Sequence, residues 1–237
     1  MSLSILIPCR NEENSIEETV KVLQSKIAKF IKDYEIIIIN DNSSDNTFKI
    51  INKIKSKNKK IIIKNNKNIG LGSTINLGIN SATKDFICIF MADLSDSPSD
   101  LIRYYKHISK SKLDAIFGSR FIKKNSIVDY PIKKLVFNRI FNLFVKLIFL
   151  SKYNDFTNAF KIYRKQTLIE LFPFVSENFN IFLEIPLKFI IRKKNYKIIS
   201  IKWKNRKTGE AKFKIKELGS KYLFTLLYCF FEKILLR

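Results

Sequence analysis

Asp93 and Asp96 close a stretch that runs without a charge through residues 86–92, and Pro98 follows just beyond. An unbroken apolar run of this length marks a buried parallel strand. In open α/β sheets the carboxyl ends of such strands face the crevice where ligands bind. A carboxylate there can hold a hard divalent cation through oxygen, or it can cap the helix that follows. Two other apolar runs end in the same manner. Residues 3–7 pass into Pro8, Cys9, Arg10, Asn11 and Glu12, and residues 34–39 pass into Asn40, Asp41 and, shortly after, Asp45. Three strand ends thus bring polar side chains to one crevice.

The surrounding pattern supplies the elements that would hold them there. Apolar runs predict strands at 3–7, 34–39, 60–63, 85–92 and 115–118. Helices are expected from Asn14 or Ser15 to about Ile31, with Ile16, Val20, Leu23 and Ile27 at helical spacing, and then over 45–57, 70–81 and 101–109. Strands alternating with helices indicate βαβ units and a mostly parallel sheet, a three-layer α/β/α nucleotide-binding sandwich. After Asp129 the pattern changes. Residues 132–150 read as a long helix with Asn138, Arg139, Asn142 and Lys146 in one sector and Val136, Ile140, Leu143, Phe144 and Leu147 in the opposite one. Residues 217–236 are apolar nearly all round, with Tyr222, Phe224, Phe230 and Phe231. Either both helices pack on the domain, or they lie in a membrane interface, as amphipathic helices with basic and aromatic residues do. Anionic lipid would then add about 1 kcal/mol per nearby Lys or Arg.

Length and composition bound the rest. A chain of 237 residues buries one good-sized core, and one domain with an appendage is expected. The net charge of +23 fits nucleic acid, anionic lipid or phosphorylated substrates. The basic residues spread through loops and concentrate after Lys188 instead of interleaving with stacking aromatics, and strand-end carboxylates would repel a phosphate backbone. Nucleic acid is therefore not the expected partner. Cys9, Cys88 and Cys229 are odd in number, lack metal-ligand spacing and read as reduced packing residues of a cytosolic protein. The first residues do not resemble a signal peptide. The longest apolar run, 222–231, is half of the ~20 residues a membrane span needs, so attachment would be peripheral. His107, in the helix after the Asp93 loop, reads as a solvated surface residue.

Further motifs recur in order: Gly118-Ser119-Arg120-Phe121; Asn154-Asp155-Phe156-Thr157-Asn158-Ala159-Phe160-Lys161; Asn180 through Glu184 to Pro186; and Trp203, Arg206, Gly209 and Lys212. With these the chain resembles the family 2 glycosyltransferases of the GT-A fold, and among them the dolichol-phosphate (polyprenyl-phosphate) mannosyltransferases, over nearly its whole length. The resemblance implies a GT-A domain over 1–216, with a nucleotide-binding half to about 120 and an acceptor half beyond it, and a C-terminal apolar helix over 217–237 that docks on a membrane. It also implies an inverting hexosyltransferase acting at the cytoplasmic face. Such an enzyme moves sugar from GDP-mannose or a UDP-sugar to polyprenyl or dolichyl phosphate, with a separate membrane-anchoring subunit as a candidate partner.

Residue by residue, the resemblance sets Pro8, Arg10, Glu12, Ile39 and Asp41 around the base and ribose of the donor. Ala92, Asp93 and Ser95 fall beside its diphosphate, and Asp93 holds Mg²⁺ or Mn²⁺ with Asp96 as a possible second ligand. Arg120, Arg206 and Lys212 bind phosphate oxygens; Arg139, from the polar sector of the 132–150 helix, is the candidate for the lipid phosphate. The other readings are capping for Glu12 and Asp41 and a solvated basic loop for Arg206 and Lys212. The chain departs from the family pattern at Met91, which replaces the first carboxylate of an Asp-Ala-Asp metal motif, and at Arg10, Asn40 and Ala211. These departures bear on donor identity and point to a sugar other than mannose. A lipid phosphate is already an anion and needs no general base, whereas a saccharide, lipid or protein hydroxyl needs one. Asp155 and Glu184 are the candidates for that role, each with a structural alternative: a turn cap for Asp155 and an ion pair for Glu184.

Overall fold

In the computed structural model, which describes residues 1–124, 126–205 and 215–236, seven strands form one sheet in the order β3-β2-β1-β4-β7-β5-β8. They are β1 (Leu3–Cys9), β2 (Tyr34–Asn40), β3 (Ile61–Asn65), β4 (Phe86–Ile89), β5 (Ala115–Ser119), β7 (Lys161–Arg164) and β8 (Tyr196–Ser200). The short strands β6 (Ile127–Val128) and β9 (Trp203–Lys204) pair with each other. Every residue of β1, β2 and β4 is buried, as expected of runs covered on both faces. Alternate side chains go to opposite sides. Leu3, Ile5 and Ile7 join one core with Ile36, Ile38, Phe86 and Cys88, while Leu6, Ile37, Ile39, Ile87 and Ile89 join the other.

Helices cover both sides. The first core is closed by α1 (Ile16–Ile27), α2 (Thr47–Ser56) and α4 (Pro98–Ile108). The second is closed by α3 (Leu71–Ser81), α5 (Ile132–Ile148), α6 (Lys165–Glu170), α7 (Ile181–Ile191) and α8 (Ile215–Leu235). This is the three-layer α/β/α sandwich the spacing predicted. All strand pairs but those of β7 are parallel; β7 runs antiparallel between β4 and β5. Its buried Lys161 interrupts the apolar pattern and left this strand without a sequence signal.

Two details open the crevice. The fourth strand stops at Ile89, not at residue 92. Phe90 still donates to the Leu6 carbonyl at 2.9 Å, but the partner strand begins only at Lys161, so residues 91–97 turn out of the sheet. The chain also leaves β1 toward β2 on one side and returns to β4 on the other, which is the topological switch point. Ser15 precedes α1 as expected, yet its hydroxyl bonds the Glu12 carboxylate (2.9 Å) and no helix N–H. At Gly118 a Cβ would strike the Tyr104 hydroxyl and the Phe160 carbonyl. That close approach locks β5 against the start of β7.

Candidate active site

The loops that follow β1, β2, β4 and β5 emerge at one sheet edge, because these strands are mutually parallel and level: Cys9 pairs with Asn40 and Leu6 with Ile89. Antiparallel β7 delivers the preceding loop, residues 154–160, to the same edge. There a cavity of about 740 Å³ is lined by Met91, Asp93, Ser95 and Asp96 from the β4 loop, by Arg120, and by Thr157, Asn158 and Ala159. Tyr130, Lys134 and Asn138 form its side wall, with Trp203 and Asn205 nearby. Its far end is apolar, built from Phe137, Phe141 and Phe144 of α5, Phe179 and Phe182, and Tyr222, Leu223 and Leu226 of α8.

Burial and hydrogen bonding decide what each polar group can do. Asp93 is half-buried and accepts the Ser95 backbone N–H at 3.1 Å. Asp96 is buried, and among the described residues its Oδ2 has no hydrogen-bond partner. Burial, aided by the charge of Asp93 and opposed by Arg120, pushes the Asp96 carboxyl up to about 8. An orphaned buried carboxylate oxygen beside a second carboxylate is a position that a cation can fill. The pair therefore suits a divalent ion, although no group of three or more His, Cys, Asp or Glu able to hold a metal occurs among the described residues. Met91 stands on the same wall and offers only a thioether.

Arg120 is buried behind this wall. Its Nε and Nη2 fork onto Asp155 at 2.9 and 2.6 Å, and its backbone N–H reaches the same carboxylate at 2.9 Å. Burial lowers the Arg120 pKa, but adjacent Asp155 more than offsets this and holds it above the ordinary value. Asp155 is fully buried and does not line the cavity. Lys161, also fully buried, donates to the carbonyls of Phe156 (3.2 Å) and Asn158. Burial, opposed by Asp155, lowers its pKa to about 7. Glu184 accepts the backbone N–H groups of Val175 (2.9 Å) and Ser176 (2.8 Å), pairs with Lys188 at 3.4 Å and lies outside the cavity lining.

The residues expected around a base and ribose occupy the ends of β1 and β2 and the loops that follow, and do not line this cavity. Pro8 and Ile39 are buried in paired strands, and the Ile39 side chain enters the core. Arg10 is exposed. The Glu12 backbone N–H donates to Thr47 Oγ1 at 2.8 Å. Asp41 Oδ1 accepts from Gly70 N (3.1 Å) and Asn66 Nδ2 (3.0 Å), tying the β2 loop to the start of α3. The carbonyl of buried Ala92 accepts the Thr19 hydroxyl at 2.8 Å. Arg206 and Lys212 lie outside the described residues.

The polar sector of α5 does not stay together. Asn138 and Asn142 turn inward, where Asn142 Oδ1 accepts the Phe156 N–H at 2.5 Å and Asn138 Nδ2 donates to Thr157 Oγ1 at 3.0 Å. Arg139 and Lys146 line a different cavity, so Arg139 is not placed with Asn138 as their shared sector suggested. The apolar sector, apart from Phe144 at the cavity wall, faces away from the protein: Ile140 is 61 % exposed and Leu147 62 %. The walls from Tyr130, Phe137, Phe179 and Phe182 had no sequence signal, since a lone aromatic reads equally well as core.

A family model described as Glycosyl transferase family 2 matches residues 4–172. Poly-beta-1,6-N-acetyl-D-glucosamine synthase of Staphylococcus aureus (strain MSSA476) is 30% identical over 173 residues, which are 71% of this chain and 41% of that protein. The protein of the same name from strain COL matches to the same extent. The chain thus spans about two fifths of the length of these curated relatives. Among solved structures, glucosyl-3-phosphoglycerate synthase from Mycobacterium tuberculosis with Mn²⁺, UDP and phosphoglyceric acid superposes with a TM-score of 0.71 at 13% identity, over 97% of this chain and 78% of that one. Its complex with Mg²⁺ and UDP gives 0.69 at 14% identity, over 96% and 79%. At such identity the likeness shows a shared fold.

Proposed function

From the premise that this chain belongs to glycosyl transferase family 2 and has the GT-A fold, we propose that it is an inverting hexosyltransferase moving sugar from a nucleotide sugar to a polyprenyl phosphate at a membrane surface. One observation carries this reading. A single cavity has carboxylates and a buried guanidinium at one end and a wall of aromatic and aliphatic side chains from α5 and α8 at the other. A long hydrocarbon with an anionic head matches both ends; a small polar acceptor would leave the apolar end unfilled.

The donor enters over the β1 and β2 loops, with Pro8, Arg10, Glu12, Ile39 and Asp41 surrounding its base and ribose. Ala92, Asp93 and Ser95 lie at the diphosphate. Asp93 and Asp96 would hold Mg²⁺ or Mn²⁺, which when bound neutralises charge developing on the departing diphosphate. The metals in the relatives' structures support this assignment. Arg120, kept cationic and fixed in orientation by Asp155, adds a preorganised positive charge there; Arg206 and Lys212 would supply two more. Lys134 and Asn138 orient the acceptor phosphate for in-line attack on the anomeric carbon. Asp155 and Glu184 act by positioning: one holds Arg120 and the other the 173–176 turn. The C-terminal helix docks the enzyme on the cytoplasmic face, with a separate anchoring subunit as a candidate partner. No described helix is long and apolar enough to cross a membrane.

A second reading, transfer to a saccharide hydroxyl, is favoured by the likeness to the poly-N-acetylglucosamine synthases. It needs a general base within reach, and both oxygens of Asp155 and of Glu184 are engaged elsewhere. Mass analysis after incubation with Mn²⁺, polyprenyl phosphate and each of GDP-mannose, UDP-glucose and UDP-N-acetylglucosamine tests the proposal. A glycosyl polyprenyl phosphate is expected with one donor. Its absence with every donor, together with elongation of a glucosamine oligomer, would replace it with the second reading.

A further inference from the structure

Arg139 and Lys146, with Phe121, Ile140, Leu143 and Asn154, line a second cavity of about 370 Å³ on the flank of α5 away from the catalytic one. Among the described residues neither cation has a carboxylate partner. The Arg139 guanidinium lies 5.0 Å from the centre of the Phe121 ring. Residues 130–153 contain Lys133, Lys134, Arg139, Lys146 and Lys152 and no acidic residue. Ile140 and Leu143 of its lining are bare, and exposed Val136 and Leu147 extend that face along α5. Leu143 is 56 % exposed, and α8 runs beside α5 in the same direction, Tyr222 meeting Phe141 edge-on at 5.6 Å and Lys233 donating to the Ile148 carbonyl at 3.2 Å. From α8 come exposed Leu223, Phe224, Leu227 and Phe231.

Unpaired cations set among bare apolar side chains complement a surface in which phosphate and hydrocarbon lie together. A second copy of the chain would set like charges against each other, and a nucleic acid would leave the apolar side chains in water. We propose that the Arg139–Lys146 cavity is a headgroup site for an anionic phospholipid, distinct from the catalytic cavity, and that it seats α5 and α8 in the bilayer interface. The proposal deepens the reading of a membrane-borne acceptor and rests on it, but its test needs no turnover. Loss of glycosyl transfer and loss of lipid binding are therefore separate results.

The test is flotation of the full chain with phosphatidylcholine vesicles, with and without phosphatidylglycerol. Binding is expected to require phosphatidylglycerol and to weaken as salt is raised. Arg139→Gln/Lys146→Gln should partition roughly thirty-fold more weakly, the share of two interfacial cations. Lys53→Gln/Lys55→Gln removes equal charge from α2 on the opposite face of the sheet and should bind like the parent. Lys146→Gln alone, at an intermediate loss, guards against a folding defect in the double variant. Equal binding to both vesicles, an undiminished Arg139→Gln/Lys146→Gln, or the same loss in the α2 variant would each overturn the site, as would a shift to dimers without vesicle binding.

Discussion

Arg120 meets two demands with one side chain: it must stay charged while buried, and it must aim at the cavity. Asp155 meets both by accepting two guanidinium N–H groups and the Arg120 backbone N–H. Removing one partner of a buried pair strands the other, so Asp155→Asn or Arg120→Gln should lower stability by about 3–5 kcal/mol, read by urea denaturation. A loss below about 1 kcal/mol would show that the pair is solvated in solution. Lys161, behind it, carries a pH signature. Its pKa falls from 10.5 to about 7 in the folded chain, so between those values the unfolded state binds the extra proton. Stability therefore rises with pH across that window, by at most about 1.4 kcal/mol per unit. Lys161→Met should flatten that rise in denaturation curves at pH 7 and 9; an unchanged slope would mean that Lys161 stays protonated when folded. Met91 offers a gain instead. Met91→Asp adds a third carboxylate to the β4 loop, beside Asp93 and Asp96, and should lower the Mn²⁺ concentration for half-maximal activity by roughly ten-fold, measured by metal titration. The strand-end carboxylates were legible in sequence because each ends an apolar run. The pairing of Asp155 with Arg120 was not, since 35 residues separate them and no local pattern reports a contact across β5 and β7.

At the level of elements, α5 is the instructive one. Its 3.6-residue period was plain in the sequence, but an amphipathic period does not say which sector faces the protein. Asn138 and Asn142 face inward because the 154–160 loop leaves backbone and hydroxyl groups that need partners, and the apolar sector is left bare. Val145 lies on the inward side with the two asparagines and is fully buried against the second core. Val145→Ala should cost about 2 kcal/mol through lost burial and a residual cavity. Leu147→Gln, two residues on and exposed, should stay within about 0.5 kcal/mol while weakening vesicle flotation. Thermal melts of the two variants check the contrast; comparable losses would mean that another surface covers Leu147. The parallel strands were legible for the opposite reason. Runs buried on both faces need no orientation, so β1, β2 and β4 were found to within a few residues; antiparallel β7, with a lysine at its start, and the half-buried β8 escaped, as did the two-residue strands β6 and β9.

For the whole molecule, the order of the sheet and the direction of the chain bring four loops to one rim, where the β4 loop, Arg120, α5 and α8 enclose the cavity. The net charge of +23 had several meanings in sequence. Under the proposed lipid docking part of it acquires one, since Arg139 and Lys146 line the second cavity beside the exposed side chains of Ile140 and Leu143. The central claim is that the apolar end of the cavity selects a lipid acceptor. Its most direct test compares kcat/KM for polyprenyl phosphate with that for a soluble phosphorylated acceptor, 3-phosphoglycerate, using the donor that supports turnover. The account predicts a preference for polyprenyl phosphate of at least about a hundred-fold, about 2.7 kcal/mol at the transition state, and its loss in Phe141→Ser. Equal use of the two acceptors, or preference for the soluble one, would contradict it.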